Sequence, residues 1–535
     1  MAQAGKGRYA IAAGHPLTAE AGAEVLAAGG TAVDAVTAAA FMAMVAEPVL
    51  AGLLGGGFLM HRAPTGRIQL LDMFVDTPGR ARSAGEADLR EAIADFGGVT
   101  QRFHIGAVTV AVSGLGPALI AAQAEAGRMP LAELLAPAVA AAREGVVISA
   151  FQARLGRIVA PIISATPEAR ALNCDASGAP LGDGARRQNP AFADVLEVTG
   201  IEGADFLARG EVAAGLLALA TEGGHLQADD LARWRAIART PLEAEHAGCR
   251  LWLNPAPALG GALIAFPLAL LGRAPDPAAM LRALALTAEA RGESAIDADA
   301  TAGSAWLASE AVLSDYRARL RGHPPARRGT THISAVDTEG GAASLTLSNG
   351  EGCGLIVPGT GIMPNNMLGE EDLVPGLAED RPFDWPRGVR LASMMAPTMM
   401  MTPEGRLAVL GSGGSNRIRS ALVQVIAALA SGTDLETAIT APRLHVEGTG
   451  REAQFDYERV GLGAAAETAL RETWAGLCGA PVPERGDHEA ESEIGLRAWD
   501  ETSMFFGGVH AVLREAGGGL VAVGDPRRAG EVRSG

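Results

Sequence analysis

Apolar and polar positions follow different periods in the two parts of the chain. In residues 1–329, apolar residues recur at helical spacing and several alanine-rich segments stop at glycine pairs. In residues 330–535, alternation with a period of two adds strand signals. This pattern predicts a mixed α and β protein. The predicted helices cover residues 18–28, 131–143, 211–221, 418–431 and 463–478.

The strongest strand signal is a hairpin that begins at Thr330. Residues 330–337 have strand character, residues 338–341 supply turn chemistry, and residues 343–349 alternate between apolar and hydroxyl-bearing side chains. With the turn centred after residue 339, we expect Thr330 to lie opposite Asn349, and residue 331 opposite residue 348. A hydroxyl and an amide then flank Thr330.

The run Gly329-Thr330-Thr331-His332 is a candidate site of self-cleavage. A threonine hydroxyl is a poor nucleophile near pH 7 unless a base lies beside it, and a cut before Thr330 would supply its new α-amino group as that base. Gly329 suits the strained turn that such a cut requires. The structural alternative is that these residues simply open a strand.

A second candidate feature is the glycine-rich turn at residues 411–417, between a predicted strand at 407–410 and a predicted helix. Backbone amides at such a turn bind either a phosphate or the oxyanion of a tetrahedral intermediate. Lys6 is the only lysine, so the Gly-Lys-Ser/Thr ending of a phosphate-binding loop is absent. An oxyanion hole is therefore the favoured interpretation.

Other chemistries lack their motifs in this chain. There is no His-Glu-x-x-His, no Cys-x-x-Cys and no Gly-x-Ser-x-Gly, which excludes a metal site with recognisable spacing and the usual serine-hydrolase elbow. We therefore expect no metal and no cofactor. An N-terminal threonine nucleophile remains.

A series of short motifs runs in a fixed order along nearly the whole chain. They are Gly14-His15-Pro16-Leu17, Glu47-Pro48, Gly55-Gly56-Gly57-Phe58, Met129-Pro130-Leu131, Gly223-Gly224-His225-Leu226, Thr330-Thr331-His332, Asn365-Asn366, Ser393-Met394-Met395-Ala396-Pro397-Thr398 and Asp525-Pro526-Arg527-Arg528. In order and spacing they resemble the γ-glutamyltransferases. These are N-terminal-nucleophile hydrolases that mature by cleaving themselves before a threonine.

The resemblance implies a fold, a maturation step and a set of catalytic residues. The fold is α+β, a four-layer αββα sandwich in which a large fragment (1–329) and a small fragment (330–535) intertwine after cleavage. Thr330 corresponds to the nucleophile, Ser348 to the hydroxyl that steadies it, and Gly413 with Gly414 to the oxyanion diglycine.

The departures from the family pattern concern substrate binding. The arginine that clamps the substrate α-carboxylate is replaced by Phe74, and a glutamine that helps to hold the α-amino group by Met367. A serine pair becomes Ala392-Ser393, and the aspartate that binds the amine aligns with Glu370. The predicted substrate-binding residues are Asn349, Glu370, Ala392 and Ser393.

Three functions follow as hypotheses. The first is a γ-glutamyltransferase-like enzyme that hydrolyses or transfers the γ-glutamyl group of glutathione or a related amide through an acyl-threonine. The second is an acylase of the same fold with a different acyl group, dicarboxylic or aromatic, accommodated by Phe74. The third is an uncleaved, inactive binding protein.

Net charge and the length of the apolar runs limit which binding partners and which cellular location we expect. A net charge of −17 argues against nonspecific binding to nucleic acid, which needs clustered cations. The longest apolar runs, 36–46 and 258–271, fall short of the roughly 18 residues of a membrane span. No export signal is visible, so we expect a cytoplasmic enzyme whose partners are a small acyl amide and the two fragments of its own chain.

Overall fold

The computed structural model describes residues 2–5, 7–82, 86–95, 100–319, 330–370, 385–449 and 453–535. Gly329, which precedes the predicted cut, lies outside these residues. The helices are α1 (Pro16–Ala27), α2 (Ala32–Ala46), α3 (Leu115–Ala126), α4 (Leu131–Glu144), α5 (Ala150–Ile158), α6 (Ala160–Ile163), α7 (Pro167–Asn173), α8 (Pro190–Glu202), α9 (Ala204–Arg209), α10 (Glu211–Thr221), α11 (Ala228–Arg233), α12 (Gly260–Leu270), α13 (Pro277–Glu293), α14 (Ala300–Leu307), α15 (Glu310–Arg319), α16 (Arg417–Ala430), α17 (Leu435–Thr440), α18 (Ala464–Cys478) and α19 (His488–Glu493).

Strands from both parts of the chain build two seven-stranded antiparallel sheets. The strands are β1 (Ala2–Gly5), β2 (Ala10–Ala13), β3 (Gly56–Arg62), β4 (Ile68–Met73), β5 (Arg90–Asp95), β6 (Thr100–Ile105), β7 (Val146–Val147), β8 (Arg186–Arg187), β9 (Ile237–Arg239), β10 (Leu242–His246), β11 (Cys249–Leu253), β12 (Thr331–Val336), β13 (Ala342–Ser348), β14 (Thr398–Met401), β15 (Leu407–Gly413), β16 (Leu444–Glu447), β17 (Gln454–Glu458), β18 (Leu496–Trp499), β19 (Gly508–Arg514), β20 (Leu520–Val523) and β21 (Glu531–Ser534). One sheet has the order β1-β20-β19-β15-β14-β11-β10, and the other has the order β21-β2-β12-β13-β3-β4-β9.

The two sheets pack face to face, and helices cover their outer faces. Phe58 and Met60 of β3 meet Met399 of β14 and Val409 of β15 in a core between the sheets. A second core joins the β12 sheet to helices that include α1, α2, α3, α4 and α8, and a third joins the β15 sheet to α12, α13, α16 and α18. The predicted four-layer αββα arrangement is confirmed.

Helix α2 shows how local sequence fixes this architecture. All fifteen of its residues are buried, as expected of a helix that is apolar on every side. Thr31 and Asp34 form a reciprocal cap at its start, with Asp34 N donating to Thr31 Oγ1 at 3.1 Å. Ala32 N donates to Asp337 Oδ2 at 3.0 Å, which ties this helix to the turn of the β12–β13 hairpin.

The hairpin is present, but its predicted register is wrong by one residue. Thr331 pairs with Leu347 and not with Ser348, so the same register places Thr330 opposite Ser348. The cause is the side chain of Asp337, whose Oδ1 accepts hydrogen bonds from the amides of residues 339 and 341 at 3.0 and 2.8 Å. These bonds, with residue 340 in the left-handed region (φ 83°), centre the turn on residue 339.

Within the described ranges, no helix combines the length and the apolar character needed to cross a membrane. The two longest apolar runs lie in α2 and α12, which are packed into the two outer cores.

Candidate active site

One cavity brings together half of the eight site residues predicted from sequence. Four predicted residues, Thr330, Ser348, Glu370 and Ser393, line it, together with the two departures from the family pattern, Phe74 and Met367. The remaining lining residues are Leu259, Arg291, Met394, Met395, Ser415 and Asn416. Residues from both predicted fragments therefore form its wall.

Thr330 is buried at the start of β12, where its carbonyl is closely packed. Arg528 Nη1 donates to the Thr330 carbonyl oxygen at 3.0 Å. Gly413, the last residue of β15, lies so close that a Cβ on it would be 1.5 Å from the same oxygen. Only glycine fits at this position. The proposed nucleophile and the first glycine of the proposed oxyanion turn are thus in direct contact.

The second glycine of that turn has a backbone conformation that favours glycine. Gly414 has φ 125°, and Ser415 after it has φ 48°. Neither Gly413 nor Gly414 lines the cavity, but the next two residues, Ser415 and Asn416, do. The turn then enters α16, as the sequence predicts. The turn therefore lies beside Thr330, and the role of its amides as an oxyanion hole stays a prediction.

A buried carboxyl lies beside the residue that follows the nucleophile. Glu47 accepts hydrogen bonds from Thr18 Oγ1 at 2.8 Å and from Thr331 Oγ1 at 3.4 Å. Burial raises the pKa of Glu47 to about 7, although both hydroxyls and the charge of Arg528 act to lower it. The sequence pattern drew attention to Glu47 but gave it no function.

An ion network at the end of the chain orients Arg528. The preceding residue, Arg527, donates from Nε to Glu458 at 2.9 Å and from Nη1 to Asp525 at 3.2 Å. Arg443 Nη2 bonds Asp525 at 3.0 Å from another element. All of these groups are buried, and each charge has an opposite partner, which makes the arrangement tolerable in the interior. The motif at 525–528 therefore holds a guanidinium against the Thr330 carbonyl.

His332, the third residue of the Thr-Thr-His run, is not a base for the nucleophile. Its Nδ1 is 2.8 Å from Thr346 Oγ1 and its Nε2 is 2.9 Å from Ser334 Oγ, so both nitrogens are occupied between the sheets. Burial, and then the neighbouring His510, hold the pKa of His332 well below its usual value. His332 is thus a neutral packing residue whose ring touches Gly411.

Five of the residues that line the cavity are apolar, among them Leu259. Phe74 is buried and stacks on Phe58 with ring centroids 5.6 Å apart. Met367, Met394 and Met395 are the other three. Methionine side chains adapt their shape to irregular apolar ligands. The position where the family has its arginine clamp is therefore part of an apolar surface.

Arg291 is the arginine of this cavity, and the sequence gave no indication of it. It pairs with Asp297 through Nη2 at 2.6 Å and donates from Nη1 to Asn416 Oδ1 at 3.2 Å. Arg390, by contrast, bonds Asp72 at 2.6 Å and does not line the cavity. Arg291 and Asn416 come together only through the packing of α13 against the glycine turn.

Two predicted substrate-binding residues do not line the cavity. Asn349 packs against Gly52, and its Nδ2 donates to the Met363 carbonyl at 3.1 Å. The register explains this, because a shift of one residue turns a side chain to the other face of a sheet. Ala392 packs at the edge of the apolar cluster around α12. The other predicted residue of that pair, Ser393, accepts from Met395 N at 3.2 Å within the cavity wall.

A four-layer αββα fold with a threonine at the start of a central strand is that of an N-terminal-nucleophile hydrolase. The chain belongs to the gamma-glutamyltranspeptidase family, whose model matches residues 18–534.

Relatives of two kinds are similar to this chain. The Acylase ACY 1 proenzyme of Pseudomonas sp. (strain V22) is 32% identical over 475 residues, which cover 82% of this chain and 83% of the relative. The glutathione hydrolase proenzyme of Escherichia coli (strain K12) is 26% identical over 471 residues, which cover 80% of this chain and 79% of the relative. Among solved structures, the cephalosporin acylase from Bacillus halodurans has a TM-score of 0.77 and 22% identity, covering 100% of this chain and 96% of that one, which supports the fold.

Proposed function

We propose that the chain is a self-processing amidohydrolase in which Thr330, freed by a cut before it, forms an acyl-enzyme with its substrate. The observation that carries this proposal is the contact of Thr330 with Gly413 and Arg528 at the edge of the cavity that Ser348 also lines. The relatives' names, acylase proenzyme and glutathione hydrolase proenzyme, support processing of a precursor.

The geometry is compatible with a chemical sequence in which the new terminus is the base. The α-amino group, with an ordinary pKa near 7.7 to 8.0, accepts the proton of Thr330 Oγ as that oxygen attacks the substrate carbonyl. The amides at Gly413 and Gly414 bind the oxyanion that forms. The protonated amine then gives its proton to the leaving amine, and water releases the acid from the ester. Arg528 holds the Thr330 backbone throughout, because it bonds the carbonyl and not the hydroxyl.

For the acyl group, we propose an apolar or aromatic acid rather than γ-glutamate. Phe74 and Met367 occupy the positions at which the family pattern has an arginine and a glutamine, and both line the cavity. One hydrogen bond to a charged group contributes roughly 1.5–3 kcal/mol, so loss of the clamp weakens glutamyl binding by at least about tenfold. The 32% identity to an acylase supports the same choice.

A substrate panel tests this proposal. We expect the mature protein to hydrolyse phenylacetyl-p-nitroanilide with a kcat/KM at least about tenfold above that for γ-glutamyl-p-nitroanilide. Thr330→Ala should abolish both turnover and scission, whereas Thr221→Ala, an exposed threonine at the end of α10, should leave both unchanged. A panel in which only the glutamyl anilide reacts contradicts the acyl assignment, and scission in Thr330→Ala contradicts the nucleophile.

Glu370 favours a second candidate, hydrolysis of glutathione or another γ-glutamyl amide. It aligns with the residue that binds the substrate amine in the family, and it lines the cavity with Thr330. Under this hypothesis, Glu370→Gln lowers kcat/KM for γ-glutamyl-p-nitroanilide by at least about tenfold and leaves an uncharged acyl anilide unaffected. Equal effects on both substrates exclude a role for Glu370 in amine binding.

A further inference from the structure

A second cavity lies apart from the nucleophile and shares no lining residue with the first. It has a volume of 410 Å³, within the range of roughly 300–1,000 Å³ that is usual for small-molecule sites. Its wall is mostly apolar and is formed by α5 and by segments near α1, α2 and the end of the chain. Representative apolar residues are Pro48, Leu50, Ile148, Phe151, Leu155 and Leu181.

Arg187 of β8 brings a positive charge to this apolar wall. The side chain is half-buried, and its Nε donates to Asn173 Oδ1 at 3.0 Å. In the part of the chain that the structure describes, its two Nη atoms have no hydrogen-bond or ion-pair partner. Burial lowers the pKa of Arg187 to about 10, which leaves it cationic at neutral pH.

The other titratable groups in the wall already have partners. Glu47 accepts from two threonine hydroxyls, as described above, and Glu531 lies 3.4 Å from Arg533 Nη1. His15 Nδ1 accepts from Leu17 N at 3.2 Å, and burial lowers the pKa of His15 to about 4, so it is neutral. Among these lining groups, Arg187 is the one cation at neutral pH, and no carboxylate of the described residues pairs with it.

We propose that this cavity binds a small carboxylic acid with an apolar body, whose carboxylate pairs with Arg187 while its hydrocarbon part lies against the wall around Phe151 and Leu155. The charge complementarity is specific, because the planar guanidinium with both Nη atoms available matches a carboxylate through two parallel hydrogen bonds. Apolar burial supplies the remainder of the affinity.

The site adjoins the proposed catalytic machinery without belonging to it. Glu47 lines this cavity and also bonds the hydroxyl of Thr331, the residue next to the proposed nucleophile. A ligand here therefore lies against a residue that contacts the β12 terminus. The inference does not rest on the proposed function, since it depends only on the cavity and its charge.

Calorimetric titration of the purified protein with octanoate, and with 1-heptanol as the uncharged comparison, tests the proposal. We expect octanoate to bind at least about tenfold more tightly than heptanol, because a charge-assisted pair is among the stronger polar interactions. Arg187→Gln should remove this preference and Arg187→Lys should retain part of it. Arg157→Gln on the exposed side of α5 is the matched control and should bind like the parent.

A variant that partly fills the cavity provides a second, independent test of binding at this site. A Cβ on Gly156 would be 3.7 Å from Ile163 and 3.9 Å from Pro180, both in the cavity wall, so the side chain of Gly156→Leu takes up part of the cavity volume while Arg187 itself is unchanged. Gly156→Leu should weaken the binding of octanoate and of heptanol by a similar factor. Equal affinity of the parent for both probes, or undiminished octanoate binding in a folded Arg187→Gln variant, overturns the proposal.

Discussion

Replacement of Gly413 by alanine gives the sharpest steric test of the site. The added Cβ would lie 1.5 Å from the Thr330 carbonyl oxygen, whereas nonbonded heavy atoms are separated by roughly 3.5 Å. Thr330 or β15 must therefore move by about 2 Å. The same Cβ would be 3.2 Å from Arg528 Nη1, so the hydrogen bond to that carbonyl is also disturbed.

The displacement predicts a large loss of catalysis. A misplacement of about 1 Å costs as much as 100-fold in rate, so we expect Gly413→Ala to lower kcat by at least about 100-fold and to slow scission correspondingly. Overpacking should also reduce the free energy of unfolding by roughly 1–3 kcal/mol. The assays are anilide hydrolysis, denaturing electrophoresis of the precursor with time, and urea denaturation.

A matched glycine separates this effect from a general effect of alanine. Gly476 lies inside α18, and a Cβ there would have no heavy atom of the described residues within 4 Å outside the backbone of its own helix and its two chain neighbours. Gly476→Ala should process and turn over normally and be more stable by about 0.5–1 kcal/mol, because alanine loses less chain entropy on folding. A folded Gly413→Ala protein that matures and turns over within tenfold of the parent refutes the assigned contact.

Three further predictions follow from neighbouring residues. The pKa of Glu47 is higher in the folded protein (about 7) than its ordinary value of 4.5, so its contribution to stability is fully present below pH 4.5 and is lost as the pH rises through 7. Urea denaturation should therefore show that the free energy of unfolding of Glu47→Gln, relative to that of the parent, rises by about 3 kcal/mol between pH 4.5 and 8. A difference between the two proteins that stays constant with pH contradicts this. Arg528→Met should slow scission at least about tenfold in a time course, because it removes the bond to the Thr330 carbonyl, and unchanged scission would show that this bond is dispensable. Phe74→Ala should lower the free energy of unfolding by roughly 3–5 kcal/mol and reduce turnover of an aromatic acyl anilide more than that of an acetyl anilide; a uniform change in turnover would place Phe74 outside the acyl site.

Local sequence pattern was sufficient for the elements that build the site. The two hairpin strands and the helix after the glycine turn lie within one residue of their predicted bounds, because alternation, turn residues and helical spacing act over short distances. The strand before that turn continues to Gly413, three residues beyond its predicted end, because residues 411–413 pair with β19. Local pattern was not sufficient to predict the strand register of the hairpin. This register depends on hydrogen bonds that one side chain, Asp337, accepts from the amides of the turn, and the resulting shift brings Ser348 rather than Asn349 opposite Thr330.

Residues that are distant in sequence but contact the site in the fold could not be predicted from local sequence pattern. Arg291 is on a helix 39 positions before Thr330 and meets Asn416 only because α13 packs beside the glycine turn. Arg528 was part of a noticed motif, but its direction depends on the ion network that fixes its neighbour. The nucleophile was predicted from the run at residues 329–332 and from the resemblance to a family, whereas the apolar part of the cavity wall is specific to this chain's own side chains. The domain boundary at residue 329 and the cytoplasmic location stay predictions.

The measurement that tests the central claim most directly is end-group sequencing and intact mass of the purified protein under denaturing conditions. The account predicts two fragments in place of the 54.5 kDa chain, the smaller beginning Thr-Thr-His-Ile-Ser at Thr330. A single uncleaved species that nevertheless hydrolyses amides, or a new terminus at any other residue, would contradict it.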